Sequence, residues 1–492
     1  MKSLLRLQII SFISRIIAMF SGIFQSLVIV NLLSVKEFGL IGLATSVAGI
    51  AGITQHLGLA SSSTKEISHA KNDSEIFKIV VSSLFIRFFI SFPIALVLIL
   101  FAPSIASYYQ NNDLIFPLRV FGVVTLVQAF QSIFNSVISG TQRFKELFAY
   151  QVVISFVSIL IYVPLIYFYG FNGFFYSLII FNFAQSMALG YIAFKNFNWE
   201  FDFPSKESLV SVGKTLLKVS LAIYLVKIIF TAWQELPVVV LGKMYSLETL
   251  ALFTFAFNFS GKLMSISDSV TDVNLPVYSK KSSDKDFFEH FIRNFNILFY
   301  FIFFVGISAS FWAKEILKVS DYFIYLVGSI LNIGLNKNIF DRYQESIILF
   351  LPLLVSIIFY SYLNILKSSI FVPLERLRKM IETYLVLILI SSIFFMLLSK
   401  FFSGILAMSI SLALGAFLSF IYSVWFIYRH YEVNLYDSKK IVFSFVSIIF
   451  AFVAIYFSDF GFIEKSLFYL VYFSLLTFIF RINIFKLLLK RK

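Results

Sequence analysis

The sequence predicts an all-α integral membrane protein of about 14 transmembrane helices, and three observations carry that reading. Of its 492 residues, 59% are hydrophobic and only 13% are charged, where a soluble domain carries roughly 25% charged residues. The apolar residues fall in runs of roughly 20, the helix length that crosses the hydrocarbon of a bilayer. The basic residues collect in the short gaps between those runs. A water-soluble protein of this length has no core large enough to hide so much apolar surface, so its solvent is lipid.

The spans fall at about 7–33, 39–60, 79–101, 115–138, 148–168, 174–194, 215–241, 249–270, 294–312, 346–366, 381–398, 405–428, 442–457 and 466–480. Residues 7–33 exceed a signal-peptide core and no small-residue cleavage site follows them, so they read as a retained first span. Lys and Arg accumulate on the cytoplasmic side of inserted helices. With the N-terminus inside, alternating segments carry 26 of the 40 basic residues inside and 8 outside, and the other 6 lie within spans. That split predicts an even number of spans and two cytoplasmic termini. The longest outer segment, 313–345, contains an apolar stretch at 322–335 too short to cross comfortably. It predicts an interfacial or re-entrant helix, with a pair of short extra spans as the alternative.

Two stretches repeat. S-V-K-E-F-G-L-I-G-L-A at 34–44 has a counterpart in S-L-E-T-L-A-L-F-T-F-A at 246–256. G-F-F-Y-S-L from Gly173 has one in G-I-L-A-M-S from Gly404. The offset grows from the first pair to the second, and the long outer segment accounts for the growth. Inverted or duplicated halves are common in transporters, and the repeats divide the chain into six-helix lobes at 1–200 and 201–430. Residues 431–492 add two helices and a basic tail.

Six segments point to a family. L-L-S-V-K-E-F-G-L-I-G-L-A-T-S (32–46), followed by H-L-G-L-A-S-S-S-T-K-E-I (56–67), resembles the opening of polysaccharide exporters in the multidrug/oligosaccharidyl-lipid/polysaccharide superfamily. S-G-T-Q-R-F-K (139–145) resembles their inner loop between spans 4 and 5. Y-G-F-N-G-F (169–174) and F-S-G-I-L-A (402–407) resemble their paired glycine starts to spans 6 and 12, and N-L-P-V-Y-S-K (274–280) the end of span 8. The chain departs from the pattern in an extra stretch near 321–337 and in Glu235, where many relatives place Asp. The resemblance implies two lobes forming a V around a central cavity that opens alternately to either side. It also implies a flippase for undecaprenyl-pyrophosphate-linked oligosaccharide, such as an O-antigen repeat unit of lipopolysaccharide. A polysaccharide polymerase and a chain-length regulator are the expected partners beside membrane lipids.

The intramembrane polar residues can be read separately by helical spacing. A charge at bilayer depth costs several kcal/mol, about 2.5–3.5 on insertion scales, and normally faces protein or water. Span 1 carries Arg15 and Gln25 on one stripe with Gln8, Ser11 and Gly22. Span 3 carries Arg87 between Ser83 and Ser91. Span 7 carries Ser220, Tyr224, Lys227, Thr231 and Glu235, and span 8 carries Thr254, Asn258, Lys262, Ser265 and Asp268. Arg15, Gln25, Arg87, Lys227 and Lys262 are the candidate substrate-binding residues, with the cations screening pyrophosphate. Their bland counterpart is a structural ion pair, Lys262 with Asp268 for example, or a side chain snorkelling to the interface. Glu235 and Asp268 are the ion-coupling candidates, and Arg119 near the outer surface reads as an anchor.

The same residues narrow the function classes. The net charge of +14 is spread through short loops, as expected of orientation signals and contacts with anionic lipid, so no nucleic acid is expected. With no cysteine, disulfides and thiol catalysis are excluded. The four histidines have no metal-ligand spacing, and no Walker A, nucleophile-elbow or zinc signature occurs. The chain therefore reads as a transporter without cofactor or metal rather than an enzyme. Three rivals remain: a multidrug or cation exporter, a peptidoglycan-precursor exporter of the same superfamily, and a membrane polysaccharide polymerase. Six deep basic residues against two acidic ones tilt the reading toward an anionic substrate.

Overall fold

Hydrocarbon offers backbone amides no partner, so a spanning chain must satisfy them within its own segments. The computed structural model describes residues 2–56, 59–195, 197, 206–281, 287–331, 334–335, 338–456 and 461–479, and among these every regular element is helical. Eleven of the described helices are long and apolar enough to cross a membrane. By packing, the chain divides into two compact units: Met1–Thr254 with Asp321–Ile339, and Phe255–Ser320 with Phe340–Lys492. The lobes at 1–200 and 201–430 are a division by repeat rather than by packing.

Unit 1 begins with α1 (Lys2–Leu32), α2 (Val35–Ala51), α3 (Leu59–His69), α4 (Asp73–Leu100) and the short α5 (Ala102–Tyr108). It continues with α6 (Ile115–Gly140), α7 (Phe144–Phe194), α8 (Lys206–Met244) and the first half of α9 (Leu247–Gly261). Helix α6 is central, packed on α2, α3, α4 and α7. Helix α7 has 51 residues and is broken at Gly170, whose φ of 55° and ψ of −133° lie in a region open to glycine. Two expected spans, 148–168 and 174–194, lie on either side of that break.

Two other expected spans are broken where a continuous helix was predicted. In place of 39–60, α2 ends against Gly52, a 3-10 turn covers Gly52–His56, and α3 follows. In place of 249–270, α9 ends on Gly261 and α10 (Met264–Lys281) starts after a short turn. Glycine is a poor helix former, about 1 kcal/mol worse than alanine, so it marks both stops. The breaks fall in corresponding places of the two repeated stretches. Ser34 caps α2 by accepting from Glu37 N at 3.2 Å, while Glu37 Oε2 accepts from Ser34 N at 2.7 Å. Ser246 Oγ likewise accepts from Thr249 N, at 3.3 Å, at the start of α9.

Unit 2 holds α10, α11 (Phe287–Phe311), the start of α12 (Ala313–Leu331), the short α13 (Ile339–Tyr343) and α14 (Ile347–Leu366). Beyond these come α15 (Leu377–Leu398), α16 (Gly404–Tyr431), α17 (Ser438–Tyr456) and α18 (Phe462–Ile479). Helix α14 is apolar all round and buried along nearly its whole length, as the core helix of a bundle must be. Against it stands a ladder of Phe291, Phe295, Phe299 and Phe303 on α11, with ring centroids 5.6, 6.2 and 5.9 Å apart. Tyr362 of α14 donates to Phe299 O at 2.7 Å.

Within each unit, polar contacts join turns that are distant in the sequence. In unit 1 the inner-assigned turns join where Arg143 donates to the carbonyls of Ile192 and Ala193, and Glu146 pairs with Lys195 at 2.7 Å. In unit 2 Arg376 donates to Tyr431 Oη at 3.0 Å, and Phe288 packs on the Tyr431 ring. The outer-assigned turns of unit 2 meet through Lys465 and Glu315, 2.7 Å apart.

Within 313–345, Ala313–Leu331 forms one amphipathic helix, α12, in place of the expected interfacial stretch at 322–335 or a pair of short spans. Leu317, Asp321, Ile324 and Gly328 form its buried stripe, while Val319, Tyr322, Phe323, Tyr325, Leu326 and Ile330 are exposed. Asp321 Oδ1 accepts from the backbone of Asn338 and Ile339 at 3.0 and 3.1 Å, folding the following segment back. Phe323 meets Phe24 of α1 edge-on.

A close helix approach in unit 1 is at Gly39 of α2, where an added Cβ would stand 2.0 Å from Leu247 O. Overpacking of this kind costs about 1–3 kcal/mol, so Gly39→Ala should lower the melting temperature in detergent. Gly52→Ala, whose nearest heavy atom would be 3.9 Å away, should not. Equal melting of the two variants would show that the close approach is dispensable.

Candidate functional site

In unit 1, α3 and α6 pack on α4, and the inward face of α4 is polar. Ser83, Arg87 and Ser91 follow one another at intervals of four residues, and all three are buried. Ser83 shares a hydrogen bond with Ser63 of α3 at 2.8 Å. Arg87 is 1% exposed, yet its Nε and Nη1 atoms and the Ser91 hydroxyl have no hydrogen-bond partner among the described residues. A buried guanidinium without a counter-charge costs several kcal/mol of lost hydration. The spacing predicted this face, but ranked Arg87 below Arg15 and Lys227.

The other predicted residues of unit 1 have different surroundings. Arg15 is half-buried on α1. Gln25 Oε1 accepts from Ser158 of α7 at 2.7 Å, so Gln25 ties two helices together. Lys227 is exposed on α8, with Nζ 5.7 Å from the Phe230 ring centroid. Glu235 of α8 lies against Gly49 of α2 and accepts from the Ser46 hydroxyl. The side chains of Gln8, Ser11 and Ser220 lie outside the described residues.

In unit 2, Lys262 sits in the turn between α9 and α10, where the broken helix leaves its carbonyl to accept from Ser265 Oγ at 2.7 Å. No ion pair joins Lys262 to Asp268, contrary to the compensation that helical spacing allows. The turn interrupts the face they would share, and Asp268 Oδ1 instead accepts from Asn364 Nδ2 of α14 at 2.9 Å. Asn274 of α10 similarly donates to Ser369 Oγ at 3.0 Å.

Three cations that sequence reasoning passed over are fully engaged, which sets Arg87 apart. Arg143 holds Glu146 and two carbonyls at the C-terminal end of α7, where the helix dipole favours a cation. Lys440, 2% exposed, donates to Leu435 O at 2.8 Å, and Lys465, 3% exposed, pairs with Glu315 beneath the rings of Phe311 and Trp312. Arg119 is exposed and lines a cleft of about 560 Å3 at the outer-assigned turns of unit 1 instead of serving only as an anchor. No group of three or more His, Cys, Asp or Glu residues that could hold a metal occurs among the described residues.

Comparison with known proteins adds three findings. A family model described as polysaccharide biosynthesis protein matches residues 28–320. No curated protein matches the chain. Among solved structures, the lipid II flippase MurJ in an inward closed conformation is similar with a TM-score of 0.68 at 13% identity, over 97% of this chain and 99% of that one. An inward-facing multidrug resistance transporter of the MATE family has a TM-score of 0.66 at 14% identity, over 87% and 99%. A MATE transporter of Vibrio cholerae has a TM-score of 0.57 at 15% identity, over 88% and 98%. At such identities the likeness is one of fold.

An orphan charge destabilises the fold that holds it, and replacing buried charges by apolar groups of similar volume is often stabilising by about 1–4 kcal/mol. Arg87→Met should therefore raise the melting temperature. Lys465→Met, which strands Glu315, should lower it. A lower melting temperature for Arg87→Met would mean that the guanidinium has a structural partner after all.

Proposed function

This chain belongs to the family of polysaccharide biosynthesis proteins, and on that premise we propose that it is a flippase for undecaprenyl-pyrophosphate-linked oligosaccharide. It moves an O-antigen or other surface-polysaccharide repeat unit from the inner to the outer leaflet of the bacterial plasma membrane. It works by alternating access, without covalent chemistry or a cofactor, and both termini lie in the cytoplasm.

The observation that carries this reading is Arg87, a buried cation with unfilled donors on a polar helix face. The pyrophosphate is the part of the substrate that hydrocarbon rejects most strongly. A guanidinium offers it donors in a planar fork, which suits phosphate oxygens held in two places at once. Arg15, Lys227 and Lys262 supply further positive charge along the path, and Gln25 a polar contact. The sugar head crosses within protein while the polyprenyl tail stays in lipid. Glu235 and Asp268 couple the cycle to an ion, and a polymerase with its chain-length regulator receives the repeat unit outside.

An exporter of organic cations would present its acids to the ligand. Here both deep acids already accept hydrogen bonds, from Ser46 and from Asn364, which favours the anionic substrate.

In a strain lacking the gene, lipid-linked repeat units should accumulate on the inner leaflet, and the wild-type gene should restore surface glycan. Arg87→Ala should reduce that restoration by about ten-fold, the effect of roughly 1.4 kcal/mol, at an unchanged level of inserted protein. Arg87→Lys should recover part of it. Normal surface glycan in the deletion strain rejects the flippase, whereas full restoration by Arg87→Ala removes Arg87 from the path.

A further inference from the structure

Three turns of unit 1 come together around the cleft of about 560 Å3, within the range of roughly 300–1,000 Å3 typical of small-molecule sites. They are the start of α2, the 3-10 turn before α6, and the break in α7. Charge counting assigns all three to the outside. The lining holds two cations, Lys36 and Arg119, and two acids, Glu37 and Asp113, so its formal charge cancels. Asn112 and Asn172 add amides that both donate and accept.

Two aromatic rings complete the surface. Phe116 is partly exposed, and its ring is fixed edge-on to Phe175 and Tyr176, each at 5.9 Å. Phe171 is braced against Phe175 at 5.1 Å. The polar groups are also held in place. Glu37 is pinned by its bonds to Ser34, and the Asp113 backbone is held by Asn111 Oδ1 at 2.9 Å.

An anion site would show an excess of cations, and a site for organic cations an excess of acids. A neutral array of donors and acceptors beside aromatic rings matches a ligand with many hydroxyls and apolar C–H faces. We propose that this cleft is a saccharide-binding site that holds the sugar head of the exported repeat unit at the outer end of unit 1. The proposal rests on the flippase reading for the identity of its ligand. It assigns Phe116 and Phe171 to the faces of the sugar rings and Arg119, Asn112 and Asn172 to their hydroxyls. Arg87 has no part in it.

The test is direct binding to the purified, full-length protein in nanodiscs. The probe is the soluble oligosaccharide released by mild acid from the lipid-linked pool, with inorganic pyrophosphate as a ligand of different chemistry. Saturation-transfer NMR should show contact between the sugar and aromatic protons. The double variant Phe116→Ala/Phe171→Ala, and separately Asn172→Ala, should weaken sugar binding at least ten-fold, the exposed Asn172→Ala without lowering the melting temperature. Arg87→Ala should leave sugar binding unchanged while impairing export.

Sugar affinity equal to wild type in both cleft variants overturns the site, as does the absence of sugar binding to the native protein or binding of pyrophosphate alone in the cleft. Should the double variant fail to fold, Asn172→Ala decides. Normal surface glycan in a deletion strain, alongside sugar binding that the cleft variants abolish, rejects the flippase and leaves the saccharide site standing. Lost export without a cleft effect does the reverse.

Discussion

Taking a charge out of water is the dominant electrostatic penalty in a helical membrane bundle, and most of this protein's deep cations are arranged to offset it. Lys440 has a carbonyl and Lys465 a carboxylate with two aromatic faces. Arg143 has a carboxylate and the open end of a helix. Among the described residues Arg87 has no counter-charge and no partner for Nε and Nη1, although it is as deeply buried as Lys440 and Lys465. Coulombic attraction is strong where the dielectric is low, so the same burial that makes Arg87 costly makes it a strong receptor for an anion. Stability and affinity are opposed at this residue, as they are at many functional sites.

The helical class was legible in the sequence because it follows from averages over about 20 residues. The buried stripe Ser83–Arg87–Ser91 was legible for a related reason: four-residue spacing survives in any straight helix. What spacing could not reveal was whether a helix stays straight. A hydropathy average over about 20 residues smooths over the polar residues Thr54, Gln55 and His56 and over Lys262, so the expected spans ran through both breaks, and the face shared by Lys262 and Asp268 was drawn across one of them. The tie between Gln25 and α7 could not be read from spacing because its partner, Ser158, is 133 positions away. The cleft of unit 1 was invisible for the same reason, since its lining comes from two helix starts, a 3-10 turn and a helix break that are distant in the sequence.

The repeats gain physical content from their caps. Both matched stretches start with a serine whose hydroxyl accepts a backbone N–H at the third position, and both helices give way after a comparable length. A cap and a stop specify a segment more firmly than its apolar residues, which are interchangeable at modest cost. This explains how similarity too weak to recognise along most of the chain persists at the helix starts. It also marks the broken segments as corresponding places in the two halves, a common position for binding sites in transporters.

Two glycines make demands of different kinds. Gly39 is a matter of room, since its neighbour's carbonyl occupies the volume a methyl would need. Gly170 has empty space around its Cα and no atom within 4 Å of an added Cβ, yet its backbone angles are those L-residues avoid. The constraint there is one of handedness. A mirror-image alanine, introduced by chemical ligation, would fit the reversal between the two halves of α7 as comfortably as glycine does, and with fewer conformations to lose on folding.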